Sequence, residues 1–142
     1  MKILLTALLA LAAAGCVSNK TYLYEKVPAK QFKIEVVAES DTIKGIFENT
    51  FKAELLKAGY VVSNESNTKI LVVVSHATGG WMTVSKNFIT SVSISLQDSS
   101  GKVYLQADYS QSATAVSWWG DQTPIRIARD TARAFVKKIK SS

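Results

Sequence analysis

The stretch "FITSVSISLQDSSGKVYLQADYS", residues 88–110, decides the fold class. Phe88, Thr90, Val92, Ile94 and Leu96 alternate with Ile89, Ser91, Ser93, Ser95 and Gln97. Val103, Leu105, Ala107 and Tyr109 alternate in turn with Tyr104, Gln106, Asp108 and Ser110. A period of two sends one set to a buried face and the other to water. Between the runs, Asp98-Ser99-Ser100-Gly101 has turn chemistry, so the pair reads as an antiparallel hairpin. Ser91, Ser93, Ser95, Gln97, Gln106, Asp108 and Ser110 then line the outer face, with Ile89 and Tyr104 at its margin.

Working outward, Lys69-Ile70-Leu71-Val72-Val73-Val74-Ser75 is apolar and β-branched, the composition of a central strand covered by helix. Gly79-Gly80-Trp81 breaks that pattern. Farther upstream, Phe32-Lys33-Ile34-Glu35-Val36 alternates as a half-buried strand. Ser40 and Asp41 offer N-cap oxygens, and Ile43, Ile46, Phe47, Phe51, Leu55 and Ala58 follow at helical spacing before Gly59. Tyr60-Val61-Val62 has the composition of a short strand start. Downstream, Thr123 caps a second helix with Pro124 in its first turn, and Ile125, Ala128, Ala132, Phe135 and Ile139 recur at its apolar face. The expected fold is α+β, in the order β-α-β-β-β-α: an antiparallel-rich sheet with two helices on one face, over residues 32–142.

The N-terminus carries a different signal. Met1 and Lys2 precede an apolar run from Ile3 to Ala14 broken only by Thr6. A dozen residues fall short of the roughly 20 that span a bilayer, and the run lacks the polar face of a core helix. It fits a secretory signal over residues 1–15. Its ending, Ala13-Ala14-Gly15-Cys16, resembles the bacterial lipobox, which implies acylation of Cys16 and a mature chain beginning there. More than one acyl chain makes such anchorage stable. Val17 and Ser18, rather than aspartate, follow the cysteine, which implies outer-membrane sorting and a domain facing the periplasm. Residues 16–31, polar and containing Pro28, read as a tether with a short strand around Tyr22 and Tyr24 as the alternative. Cys16 is the only cysteine, so no internal disulfide forms.

The formal charge of +6 is localised. Lys2 leaves with the signal, and from Pro124 onward six basic residues against Asp130 account for +5, so the rest of the mature domain is balanced. Arg126, Arg129, Arg133, Lys137 and Lys140 form a second stripe on the last helix. Such a stripe serves as a solvated face or as a contact for phospholipid headgroups, lipopolysaccharide or an acidic partner. It lacks the interleaved aromatics and motifs of a nucleic-acid binder. Trp118 and Trp119 stand just before it, and adjacent tryptophans in extended chain point opposite ways, so an aromatic-and-basic patch with Arg126, Arg129, Arg133 and Lys137 is the candidate site. His76, the only histidine, has Ser75 beside it but no nucleophile elbow, and it has no cysteine or carboxylate cluster with which to hold a metal. No cofactor and no catalytic residue are expected.

The sequence Leu56-Lys57-Ala58-Gly59-Tyr60-Val61-Val62, ending an amphipathic helix and followed by a Ser66-Asn67-Thr68-Lys69 turn and a hydrophobic strand, resembles small Gram-negative envelope lipoproteins. It is similar to the YajG-type lipoproteins and, less closely, to the TraT-type surface-exclusion lipoproteins, over residues 43–110. That resemblance implies architecture and compartment and supplies no catalytic residues. The function expected is that of a non-enzymatic accessory or assembly factor with an envelope protein partner. A binder of lipid or glycan, such as lipopolysaccharide or peptidoglycan, is the alternative, and it requires a concave apolar pocket.

Overall fold

The structure, a computed structural model, describes residues 17–81, 84–111 and 123–142. Among these, the elements run β1 (Val17–Leu23), β2 (Gln31–Val37), α1 (Asp41–Lys57), β3 (Val61–Val62), β4 (Thr68–Trp81), β5 (Val84–Asp98), β6 (Val103–Gln111) and α2 (Pro124–Ser141). One sheet has the order β1-β6-β5-β4-β2-β3. β2 is parallel to β3 and β4, and the other pairings are antiparallel. The predicted hairpin is β5–β6, and the class is the α+β arrangement expected, with both helices over one face.

Local chemistry explains where the helices stop and start. Ser40 Oγ accepts the Ile43 N–H at 3.4 Å. Ile43, Phe47, Phe51 and Leu55 then recur every fourth residue and are buried. Past the cap, Gly59 takes φ 88°. The Tyr60 N–H donates to Leu55 O at 3.0 Å and the Gly59 N–H to Leu56 O at 3.1 Å, the paired bonds of a Schellman ending. In α2, Thr123 Oγ1 accepts the Arg126 N–H at 3.3 Å, with Pro124 in the first turn. The face it buries is wider than the predicted stripe. Ile127 and Val136 join Ala128, Ala132, Phe135 and Ile139, while Ile125 is 60 % exposed. The reason is that α2 lies against two neighbours, the sheet and α1, so a single line of residues does not cover the contact. Phe51 of α1 and Phe135 of α2 meet with ring centroids 6.4 Å apart.

The core continues into the sheet through Phe32 and Val36 of β2, Ile70, Val72 and Val74 of β4, Val92, Ile94 and Leu96 of β5, and Leu105 of β6. Three features differ from the sequence expectation. Val17–Leu23, expected within a tether, is a full edge strand: each of its residues pairs with β6, from Val17↔Gln111 to Leu23↔Leu105. Only the chain after it, around Pro28, lacks regular structure. β4 does not break at Gly79-Gly80; it runs to Trp81 because β5 pairs with it there, Gly79↔Lys86, Gly80↔Ser85 and Trp81↔Val84. Ile89, expected at the margin of the polar face, is fully buried. The register steps from Ser75↔Ser91 to His76↔Ile89, so Thr90 is an extra residue on β5. That β-bulge reverses the alternation and turns Ile89 toward the core. The Thr90 hydroxyl donates to Ser75 O at 3.1 Å, fastening the bulge.

Candidate functional site

The basic face of α2 follows from its helical spacing. Arg126, Arg129, Arg133, Lys137 and Lys140 are all exposed. They are unequally compensated. Arg133 Nε lies 3.3 Å from Glu54 Oε1 of α1, whose side chain is only 13 % exposed and which also meets Lys57 Nζ at 3.4 Å. Arg126 and Arg129 flank Asp130 at 3.8 and 4.0 Å. Among the described residues, Lys137, Lys138 and Lys140 have no carboxylate partner, so the excess positive charge gathers at the C-terminal end of α2, where the helix dipole favours it. Trp118, Trp119 and Cys16 lie outside the described residues, so the aromatic half of the predicted patch has no geometry to set beside Arg126 and Arg129.

On the same side of the sheet, sequence reasoning missed a groove. Between α2 and strands β5, β6 and β1 lies a pocket of about 240 Å³. Ile94, Ala107, Ile127, Ala134 and Phe135 line it, and Tyr109, Asp130 and Thr21 stand at its rim. Its cause is local. Ala107 and Ala134 are too small to close the gap between the helix and the strands. Thr131 adds a methyl rather than a hydroxyl, because its Oγ1 donates back to Ile127 O at 2.7 Å. Burial, and secondarily the charge of Asp130, raises the Tyr109 hydroxyl above the ordinary tyrosine range. The pocket thus has an apolar floor, a phenol, and a carboxylate flanked by two guanidinium groups. Its volume exceeds the ~150 Å³ that admits benzene in an engineered apolar cavity.

The opposite sheet face is open. Ser93 Oγ of β5 donates across strands to Asp108 Oδ1 of β6 at 3.0 Å, and Gln106 Nε2 donates along β6 to Asp108 Oδ2 at 3.3 Å, so these members of the expected polar row are hydrogen-bonded to one another. Lys69 Nζ meets Glu35 Oε2 at 3.0 Å, and Val37 and Val73, 49 % and 37 % exposed, pair beside them. His76 sits opposite Ile89 with Nδ1 buried and unpartnered among the described residues. Asp98 lies at the other end of β4, opposite Thr68, and Asp108 belongs to the open face, so neither joins His76 in a triad. No cluster of metal-ligating side chains occurs among the described residues.

No protein-family model matches the chain, and no curated protein matches it in sequence. Solved structures do resemble it. A PDZ domain protein from Parabacteroides distasonis superposes with a TM-score of 0.54 at 10% identity over 94% of this chain, which corresponds to 39% of that protein. A PelC dodecamer from Paraburkholderia phytofirmans gives 0.49 at 13% identity, covering 88% of this chain and 95% of that one. A minor lipoprotein from Acinetobacter baumannii gives 0.46 at 16% identity, covering 81% and 95%. At these identities the first likeness concerns the fold alone.

Proposed function

We propose that the chain is an outer-membrane lipoprotein, acylated at Cys16 and facing the periplasm, that serves as a non-enzymatic accessory or assembly factor of the cell envelope. The observation that carries this reading is Ala13-Ala14-Gly15-Cys16, which closes an apolar run too short to span a bilayer and stands one residue ahead of a folded strand. Among the described residues no helix is long and apolar enough to cross a membrane, which agrees with attachment through lipid. The exposed α2 face, with Arg126, Arg129, Arg133 and Lys137, supplies the docking surface, together with Trp118 and Trp119 beside it in sequence. Metabolic labelling with a palmitate analogue should mark the wild-type protein and not Cys16→Ser, and mass spectrometry should find the mature chain starting at an acylated cysteine. An unlabelled wild-type chain that retains residues 1–15 would sink the reading.

The groove favours a second reading, a lipid binder. Its floor is apolar, which suits an acyl chain and offers a sugar few hydrogen-bond partners, so lipid is preferred over glycan within that alternative. Replacing Ala134 with Phe fills the space. Lipid co-purifying with the wild type should then be lost from Ala134→Phe at unchanged folding, and equal lipid content in both proteins would remove this reading.

A further inference from the structure

We infer that a cleft at one end of the open sheet face binds a saccharide that carries a single carboxylate. This site goes beyond the accessory-factor reading. It is separate from the groove under α2 and does not depend on acylation of Cys16.

Strand register builds the floor. Lys33 of β2 pairs with Lys69 of β4, and Lys69 with Gln97 of β5, so the three stand level on neighbouring strands. They alternate with the buried Phe32, Ile70 and Leu96, which turns them to the face opposite the helices. Two turns form the walls: Ser66 and Asn67 before β4, and Ser99 and Gly101 between β5 and β6. The space between them is about 300 Å³. That is the lower end of the roughly 300–1,000 Å³ usual for small-molecule sites. Both walls are fastened. The Ser66 hydroxyl donates to Gln31 O at 2.7 Å and accepts the Thr68 N–H at 3.2 Å. Asp98, also in the lining, is committed to its own turn, with Oδ1 accepting from Ser100 and Lys102 and Oδ2 from Tyr104.

The charges of the floor point to an acid. Two lysines in register on strands about 4.8 Å apart repel each other. Lys69 answers with Glu35 at 3.0 Å. Lys33, half-buried, has no ion-pair or hydrogen-bond partner among the described residues. Sequences break local pairing rules mainly at functional sites, and a carboxylate lodged beside Lys33 removes this repulsion. The other free groups describe the body of the ligand. The side-chain amides of Asn67 and Gln97 and the Ser99 hydroxyl also lack partners among the described residues, and no aliphatic or aromatic side chain lines the cleft. Such a lining suits a polyhydroxyl ligand and offers an acyl chain no apolar contact, the reverse of the groove under α2. Charge balance limits the number of acid groups. Lys33 and Lys69 stand against Glu35 and Asp98, so one carboxylate finds one free cation, while a polyanion meets two fixed carboxylates.

The test follows the side-chain amide NMR signals of Asn67 and Gln97 in the isotope-labelled full chain, held in non-ionic detergent. Each signal is assigned by its loss in Asn67→Ala or Gln97→Ala. Matched sugars are titrated in: N-acetylmuramic acid against N-acetylglucosamine, and glucuronic acid against glucose. The acidic member of at least one pair should shift both signals saturably, and its neutral counterpart should shift neither at the same concentration. Lys33→Gln should weaken that binding roughly tenfold, and Lys33→Arg should keep it. Lys33→Gln should also unfold at a urea midpoint no lower than wild type, because the repulsion with Lys69 leaves with the charge. The inference is overturned if neither acid shifts the signals, if acid and neutral sugar bind alike, or if acetate alone reproduces the shifts. Unchanged binding by Lys33→Gln overturns it as well. So does a lowered midpoint in that variant, which would assign Lys33 to the fold. None of these outcomes touches the acylation of Cys16, so the lipoprotein reading stands or falls separately.

Discussion

At the scale of single residues, Asp98 organises the β5–β6 turn. Its Oδ1 accepts the Ser100 hydroxyl at 2.6 Å, the Ser100 N–H at 2.9 Å and the Lys102 N–H at 3.1 Å, while Oδ2 accepts the Tyr104 hydroxyl at 3.1 Å. The Ser100 hydroxyl above all, then the Lys102 N–H and the Tyr104 hydroxyl, hold the carboxyl below its usual range. The folded pKa is lower than the unfolded one. The stabilisation is therefore full above about pH 4 and is lost as the pH falls through the lower folded value. As the pH falls below about 4, wild-type stability should fall more steeply than that of Asp98→Asn, as followed by urea midpoints at each pH. Parallel curves for the two proteins would show that the turn's hydrogen bonds do not discriminate the charged form. The sequence showed that Asp98-Ser99-Ser100-Gly101 was a turn; that Tyr104 reaches back to its first residue depends on a register shift after Leu96 that no spacing announces.

At the scale of elements, the end of α1 shows local chemistry deciding a boundary. Gly59 holds φ 88°, and a Cβ built there meets no heavy atom within 4 Å. Gly59→Ala therefore reports conformational strain without a steric clash. It should lower unfolding free energy by about 1–2 kcal/mol, the cost of left-handed backbone for an L-residue. A thermal or urea midpoint equal to wild type would mean that the helix ends another way. Both caps and this glycine were legible because they act within a turn of chain. The bulge at Thr90 was not, since it arises from pairing between strands. It moved Ile89 into the core, and only the register of β4 against β5 records it. The edge strand β1 was hidden for a related reason. Its alternation is weak, and its pairing partner lies more than eighty residues away in β6.

At the scale of the whole molecule, stability comes from two helices closing one face of a mixed sheet. Phe51 is fully buried where α1 meets α2 and Phe135. Phe51→Ala should cost about 3–5 kcal/mol through lost transfer energy and the cavity left behind. That is a large share of the ~5–15 kcal/mol typical of a domain, so the urea midpoint should drop sharply or cooperativity should fail. A loss below about 1 kcal/mol would show that the two helices repack around the gap. The inter-helix pair Arg133–Glu54 is a smaller matter. Arg133 is 55 % exposed, and pairs of that kind contribute at most about 1 kcal/mol. Its effect is to neutralise the middle of the basic stripe, so the positive field of α2 lies toward Lys137, Lys138 and Lys140.

The amino-acid sequence by itself determined whatever depends on neighbours along the chain. Alternation of period two announced the β5–β6 hairpin, and apolar residues at every third or fourth place announced both helices. These signals are local, because side-chain direction repeats with the backbone. Tertiary structure alone decided which distant segments share a place. It set β1 against β6, opened a groove lined by Ala107 of the sheet and Ala134 of the helix, and carried the β4–β5 pairing out to Trp81↔Val84. Those outcomes follow from strand register and packing between residues far apart in sequence, and neither is written in any single stretch of the chain.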